Sequence, residues 1–230
     1  MMHEVRIEGD IPLLIAGLVE ASGITVADSD DALRGKLDAL IAEKAAIEWP
    51  DPGRKKAVRD LLRAGGFKPA GRNKPASEYL AGCAGKGTFP FVNNIVDSNN
   101  LVSLRTAFPI SVIDLDRAAA VPGDASGGLA IRLGAPGESY VFNSAEQVIE
   151  VAGLVLLARA GGPALANPVK DSMMTKLKDD TTRVLGVIYA SSATCSRDEM
   201  ARATEEFASL LAEHAGARET QTRILPEEIA

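Results

Sequence analysis

FPFVNNIVDSNNLVSLRTAFPISVIDLD, from Phe89 to Asp116, is the densest concentration of Asn and Asp in the chain and lies between strongly apolar neighbours. Between Pro90 and Pro109 the apolar residues Val92, Ile95, Val96, Val102 and Leu104 recur at helical spacing, which predicts a core-facing helix. On that helix Asn93, Asp97 and Asn100 fall at i, i+4 and i+7, so one narrow stripe carries three amide or carboxylate groups. Asn and Asp suit helix interiors poorly because their side chains compete for backbone hydrogen bonds. Four Asn and one Asp within eight residues, Asn93 to Asn100, therefore call for a specific reason. One is a buried polar network that pins the following segment; the other is a pocket wall that reads a ligand. Both can hold for different residues of the stripe. The stretch closes on Asp114-Leu115-Asp116, read as a turn with Asp114 as a cap.

Outward from this stretch, 230 residues suffice to bury a substantial core. Hydrophobic content of 46% and charged content of 24% are ordinary globular usage and exclude wholesale disorder. A net charge of −6 argues against indiscriminate nucleic-acid binding. The charge is uneven, however. Acids dominate the first fifty residues, whereas Arg54, Lys55, Lys56, Arg59, Arg63, Lys68, Arg72 and Lys74 face only Asp60 in their own segment. That segment is either a phosphate-contacting surface or a solvated helix face.

Upstream, Ile11 to Val26 is apolar and branched and reads as a buried strand with a turn. Ser29 and Asp30 offer an N-cap to a helix carrying Leu33, Leu37, Leu40, Ile41 and Ile47 and ending before Trp49-Pro50. A second helix runs from Gly53 to Ala64 and stops at Gly65-Gly66. After a basic loop, a short helix is expected with its cap near Ser77 and Leu80 as anchor. Downstream, residues 128–134 and 138–142 read as strands joined by Ala135-Pro136-Gly137, and 153–159 as another. VKDSMMTKL and TTRVLGVIYAS read as an antiparallel pair about Lys178-Asp179-Asp180. Ser196 caps a helix with Met200, Ala203, Phe207, Leu210 and Leu211 on one face, and the last residues form an edge strand or tail. Helices gather in the first half and strands in the second, without a βαβ rhythm, so the fold class is α+β.

Familiar catalytic patterns are missing. The two histidines, His3 and His214, are expected at a terminus and on a surface helix, and no His/Cys spacing suggests zinc. Residues 81–88, AGCAGKGT, glance at a phosphate loop, but Leu80 stands where its first glycine belongs. Cys83 and Cys195 read as free thiols of a reducing, cytoplasmic compartment, and no apolar run reaches bilayer-spanning length. No cofactor or metal is expected.

The organising stretch resembles the tRNA-editing module, the B3/B4 domain, of the phenylalanyl-tRNA synthetase β subunit. Asn94, Val96, Asp97, Asn100, Pro109, Asp114, Leu115 and Asp116 match that family's Asn-x-Val-Asp-x-x-Asn run, proline and Asp-Leu-Asp turn. The segment RNKPASEYL and the later run ending in Asp180-Thr181 are similar to a branch that carries the module alone, so the likeness covers roughly residues 53–191. It implies a single α+β domain over 1–230, with layered sheets flanked by helices and with 1–52 and 192–230 as packed extensions. It further implies a pocket that accepts an aminoacylated tRNA end and hydrolyses a mischarged ester, without synthetase activity of its own. Two departures stand out. Ser111 occupies the place of the family's histidine, and Lys170-Asp171-Ser172-Met173 replaces its Gly-Gly-Glu run.

On this reading Asp171, Lys170 and Thr175 are the catalytic candidates. Asn93, Asn94, Asp97, Asn100, Ser111 and Ser172 are the substrate-binding ones. The basic residues Arg54 to Lys74 named above would hold tRNA or aminoacyl-tRNA phosphate; no DNA or membrane partner is expected. Two functions stay open: a deacylase acting in trans, and a non-catalytic module that binds tRNA or a small amino-acid-like molecule.

Overall fold

The structure, a computed structural model, describes residues 2–124 and 127–227. In chain order the first elements are β1 (Val5–Ile7), β2 (Leu14–Ser22), α1 (Asp31–Ala45), α2 (Pro52–Leu62), α3 (Ala76–Ala84) and α4 (Asn94–Thr106). Next come β3 (Ile110–Asp114), α5 (Leu115–Ala120), β4 (Leu129–Leu133), β5 (Ser139–Val141) and β6 (Val148–Glu150). The last are β7 (Val155–Arg159), β8 (Ala164–Ala166), β9 (Arg183–Ser191), α6 (Arg197–Ala215) and β10 (Glu219–Leu225). The α+β class holds.

Strands pair at long range. One sheet runs β1-β4-β7-β8, a second runs β10-β2-β9-β3, and β5 and β6 form a separate hairpin. β2 lies between β10 and β9, and its residues from Leu14 to Ala21 are all buried. A strand paired on both edges and covered on both faces reads as a continuous apolar run, which is why the segment was legible. Gly17 and Val19 point to one face of β2, and Gly186 of β9 stands opposite Val19. A Cβ on Gly17 would meet Met200 Sδ at 2.5 Å, and one on Gly186 would strike the Phe207 ring. These two bare backbone positions let the apolar face of α6, with Met200, Ala203, Phe207, Leu210 and Leu211 all buried, lie close on the sheet.

The helix starts follow local capping chemistry. Asp30 accepts from the Leu33 N–H, Asn93 from Val96, Asp114 from Arg117 and Ser196 from Glu199, each satisfying an end donor of its helix. α3 differs from expectation: it starts after Pro75, and the buried Ser77 hydroxyl has no hydrogen-bond partner among the described residues. Two anticipated apolar anchors, Val92 and Ile47, lie outside the helices and are more than half exposed.

Three pairings also depart from expectation. β4 does not form a hairpin with β5; it pairs antiparallel with β7 and parallel with β1. Residues 169–177 are not a strand but an irregular loop with one 3-10 turn, Met173–Thr175. Its supposed partner β9 is already taken on both edges by β2 and β3. Finally, Asp114-Leu115-Asp116 is not a simple turn: Ile110–Asp114 form β3, the outer strand of the second sheet, and Leu115 and Asp116 open α5, with Asp114 as its cap. As an edge strand, β3 has backbone groups that its own sheet cannot satisfy.

Candidate functional site

A cleft of about 350 Å3 opens where α3, α4, β3 and the loop 167–177 meet. Each element arrives there for a local reason. α4 is set by its Asn93 cap and stops at Ala107, whose left-handed φ of 62° turns the chain directly into β3. The loop is pinned to β8, because Ser172 N–H and Thr175 Oγ1 both donate to Leu165 C=O at 3.0 Å. Asn167 shapes its start: its Oδ1 accepts from the Val169 and Lys170 N–H groups at 2.7 and 2.9 Å, and its Nδ2 donates to Tyr140 Oη. Tyr140 in turn donates to Lys170 C=O at 2.6 Å. Burial first of all drives the Tyr140 pKa up, so its phenol stays a donor.

These constraints deliver Asp171 to the exposed edge of β3. Its Oδ2 accepts from Val112 N–H at 3.2 Å, filling one of the edge strand's free donors. Its Oδ1 is sealed from solvent and has no partner among the described residues. Burial pushes the carboxyl up to about 7, against weaker downward pulls from Val112 N–H and the Lys176 charge. At neutral pH the group is thus poised between its two forms.

Facing it on α4 is an amide pair. Asn99 Nδ2 donates to Asn100 Oδ1 at 3.2 Å. That single bond leaves Asn99 Oδ1 buried and unpaired, and gives Asn100 Nδ2 no partner among the described residues. The cleft is therefore lined by Asn99, Asn100 and Asp171, two of whose oxygens, Asn99 Oδ1 and Asp171 Oδ1, are buried without a partner among the described residues, set among the apolar side chains of Leu80, Val96, Ile110 and Val112. Buried polar groups without partners are uncommon in folded proteins, and their gathering around one opening is the mark of a site that completes them with a ligand. Among the described residues no group of His, Cys, Asp and Glu could hold a metal ion.

Of the residues singled out from sequence, Asn93, Asn100, Lys170 and Asp171 line this cleft. The others sit behind it. Asn94 Nδ2 donates to Thr25 and His214 C=O, and its Oδ1 accepts from Ala27 and Ile95 N–H. Asp97 accepts from Ser29 Oγ at 2.6 Å and Val92 N–H at 2.9 Å. Ser111 meets Tyr189 Oη at 3.1 Å, Ser172 Oγ accepts from Met174 N–H, and Thr175 is held on Leu165. The anticipated stripe was rotated: the helix presents Val96, Asn99, Asn100 and Ser103 to the cleft, while Asp97 turns toward Ser29. Asn99, Asn167, Tyr79 and Lys176 were missed. Only Asn99 had a visible signal, since it belonged to the Asn-rich run.

The basic segment divides in two. On α2, Arg54 pairs with Glu199, Arg59 grips Glu78 through two bonds of 2.6 and 2.7 Å, and Lys56 and Arg63 share Asp60. Lys55 and Lys68 are exposed. Arg72 and Lys74, by contrast, make no ion pair among the described residues and line a second cavity beside the first. Two further expectations change. His214 is not on the surface; its ring is buried, with Nδ1 2.9 Å from Asp30 Oδ2. Cys195 is buried and its thiol is pushed up to about 12, chiefly by that burial, which leaves it unreactive. Asp114 and Thr181 are joined at 2.6 Å, so these two motif residues lock α5 to the turn before β9. Burial pulls the Asp114 pKa up, but the Thr181 and Arg117 bonds outweigh it and hold the carboxylate below its usual range.

The family model of the B3/4 domain matches residues 72–216. The chain belongs to the B3/4 domain family. All the cleft-forming elements, from α3 to the loop 167–177, fall inside the matched B3/4 segment, whereas α2 with its paired cations lies before it. The B3/4 protein is also similar to a solved structure, an N-terminal fragment of the phenylalanyl-tRNA synthetase β-subunit from Pyrococcus horikoshii. The TM-score is 0.46 at 12% identity, over 97% of this chain and 54% of that one, so the chain spans about half the length of that fragment. No curated protein matches the sequence. Among the described residues no helix is long and apolar enough to cross a membrane.

Proposed function

We propose that this B3/4 protein binds the aminoacylated end of tRNA in the Asp171 cleft and hydrolyses the ester of a mischarged amino acid in trans. The observation that carries the reading is the Asp171 carboxyl, with Oδ1 unbonded and a pKa raised to about 7, opposite the open Asn99–Asn100 amide pair. Such a carboxylate is a general base matched to neutral pH. It takes a proton from water as the water oxygen attacks the ester carbonyl. The oxyanion that forms is met by a donor already in place, Asn100 Nδ2, with the Lys176 ammonium supplying positive charge at the same cleft. Collapse breaks the ester C–O bond, the proton passes from Asp171 to the departing ribose oxygen, and free amino acid and tRNA result. No covalent intermediate is required, which accords with a cleft that holds no Ser, Cys and His partnership.

The size of the cleft lies in the lower range of small-ligand sites, suited to an aminoacyl group. One observation favours a second reading. Asp171 and Asn99 both line the cleft and each has an acceptor oxygen without a partner among the described residues, a pair that would equally well hold the ammonium of an amino-acid-like molecule without turnover.

A panel of mischarged aminoacyl-tRNAs incubated with the protein separates the two. Loss of one ester at least ~100-fold above the spontaneous rate, abolished in Asp171→Ala, supports hydrolysis. Saturable binding of a free amino acid with no ester lost from any tRNA supports the second reading.

A further inference from the structure

The second cavity, of about 460 Å3, shares Ala76, Tyr79, Val169 and Lys170 with the Asp171 cleft and is completed by Gly71, Arg72 and Lys74. We propose that it is a subsite for single-stranded RNA, taking a backbone phosphate on Arg72, Lys74 and Lys170 and the adjoining base on Tyr79. The proposal rests on the reading above, in that it continues the same RNA strand out of the cleft.

Four features support it. No carboxylate lines the cavity, and none of its three cations makes an ion pair among the described residues. By contrast, on the neighbouring α2 segment Arg54 and Arg59 each hold a carboxylate, and Lys56 and Arg63 share one. Tyr79 is 51% exposed, an uncommon cost for a large ring, with the Lys74 ammonium 5.9 Å from its centroid. A free aromatic face beside a cluster of cations is the arrangement by which proteins hold unpaired nucleotides without reading their sequence. Lys170 is common to both cavities, its ammonium 4.0 Å from the Phe142 ring, and so marks the point where the two openings join. Burial, and after it the Arg72 charge, lowers the Lys170 pKa; an anion between the two would relieve the second effect.

An acidic peptide would satisfy the cations but has no use for the bare ring. A free phosphate would likewise leave Tyr79 idle. The negative field of the rest of the molecule disfavours RNA elsewhere and so confines it to this groove.

The test uses a fluorescein-labelled single-stranded RNA hexamer and fluorescence anisotropy with the full chain. Wild type should bind with an affinity that falls with salt, and Arg72→Ala/Lys74→Ala should flatten the logarithmic salt slope by about 0.7, one phosphate-contact equivalent on single strands. Tyr79→Ala should weaken binding ~10-fold, and Tyr79→Phe should restore it, because the ring and not the hydroxyl carries the contact. All these side chains are at the surface of the groove, so melting temperatures within about 2 °C of wild type are expected and check that folding is intact.

Absence of RNA binding by wild type overturns the proposal, as does an Arg72→Ala/Lys74→Ala variant that binds like wild type. Equal loss in Tyr79→Phe and Tyr79→Ala, or full competition by millimolar inorganic phosphate, reduces the cavity to a simple anion site and overturns the stacking role. The outcome is separable from that of the hydrolytic reading. RNA binding with the expected losses but no ester cleavage leaves the subsite standing alone. Ester cleavage whose KM is unchanged in Arg72→Ala/Lys74→Ala removes the subsite and leaves the hydrolysis.

Discussion

Asn94 and Asn99 lie five residues apart on α4, both nearly buried at 2% and 6% exposure, yet their surroundings are opposite. Asn94 spends its whole amide on four backbone groups, those of Thr25 and Ala27 before α1, of His214 on α6 and of Ile95 in its own helix. Asn99 makes one side-chain bond, to its neighbour, and its carbonyl oxygen is buried without a partner among the described residues. One side of the helix is a finished polar network that holds the fold; the other leaves polar atoms without partners among the described residues, which on our proposal a ligand completes. The lesson extends to the acids, with Asp97 fully engaged behind the helix and Asp171 half engaged in front of it.

Substitutions that break each side should therefore read out differently. Asn94→Ala strands several buried backbone groups and is expected to cost about 4 kcal/mol or more in urea unfolding, the largest effect in the set. A loss below about 1 kcal/mol would mean that the two faces of α4 are not different in kind.

Asp171→Asn should act in the reverse sense, and only at high pH. Because the folded-state pKa is raised to about 7 from an ordinary value of 3.8, the native state binds the proton more tightly than the unfolded chain. The stability this confers is complete below about pH 4 and is lost as pH rises through 7. Removing the charge should thus leave stability unchanged near pH 4 and raise it above pH 8 by roughly 4 kcal/mol. Equal pH profiles for both proteins would show that the carboxyl is not held in the protonated form.

A sharper contrast of intermediate size is expected on the basic segment. Arg59→Ala leaves the buried Glu78 carboxylate without its two-bond partner and should cost about 2 kcal/mol. Lys74→Ala, removing a half-buried cation that makes no ion pair among the described residues, should change stability by less than about 0.5 kcal/mol. Between these two lies Asn99→Ala, which removes a side chain making one hydrogen bond among the described residues and should cost about 1 kcal/mol while weakening any ligand of the cleft.

Much of the frame could be read from local signals. The caps at Asp30, Asp114 and Ser196 and the apolar faces of α1 and α6 are short-range chemistry written in adjacent residues. The continuous apolar run of β2 reports its central place. Strand partners were not legible, because β2 is joined to residues 183–191 and 219–225, and no spacing along the chain encodes such choices. The same limit hid half the cleft. That Asp171 would matter came from its place in a resembling segment, and that it would meet Val112 depended on β3 being an edge strand. Asn99 was overlooked because the i, i+4, i+7 stripe was placed about one residue position off around α4. Nothing in the sequence fixes which side of a polar helix faces its own core.

The most direct test of the central claim is the pH dependence of single-turnover deacylation by wild type and Asp171→Asn, with the spontaneous rate subtracted at each pH. The expected result is a wild-type rate that rises through an apparent pKa near 7 and levels off, with the variant at least ~100-fold slower and without that inflection. A variant as fast as wild type, or no ester lost above the spontaneous rate by the folded wild-type protein at any pH, would contradict it.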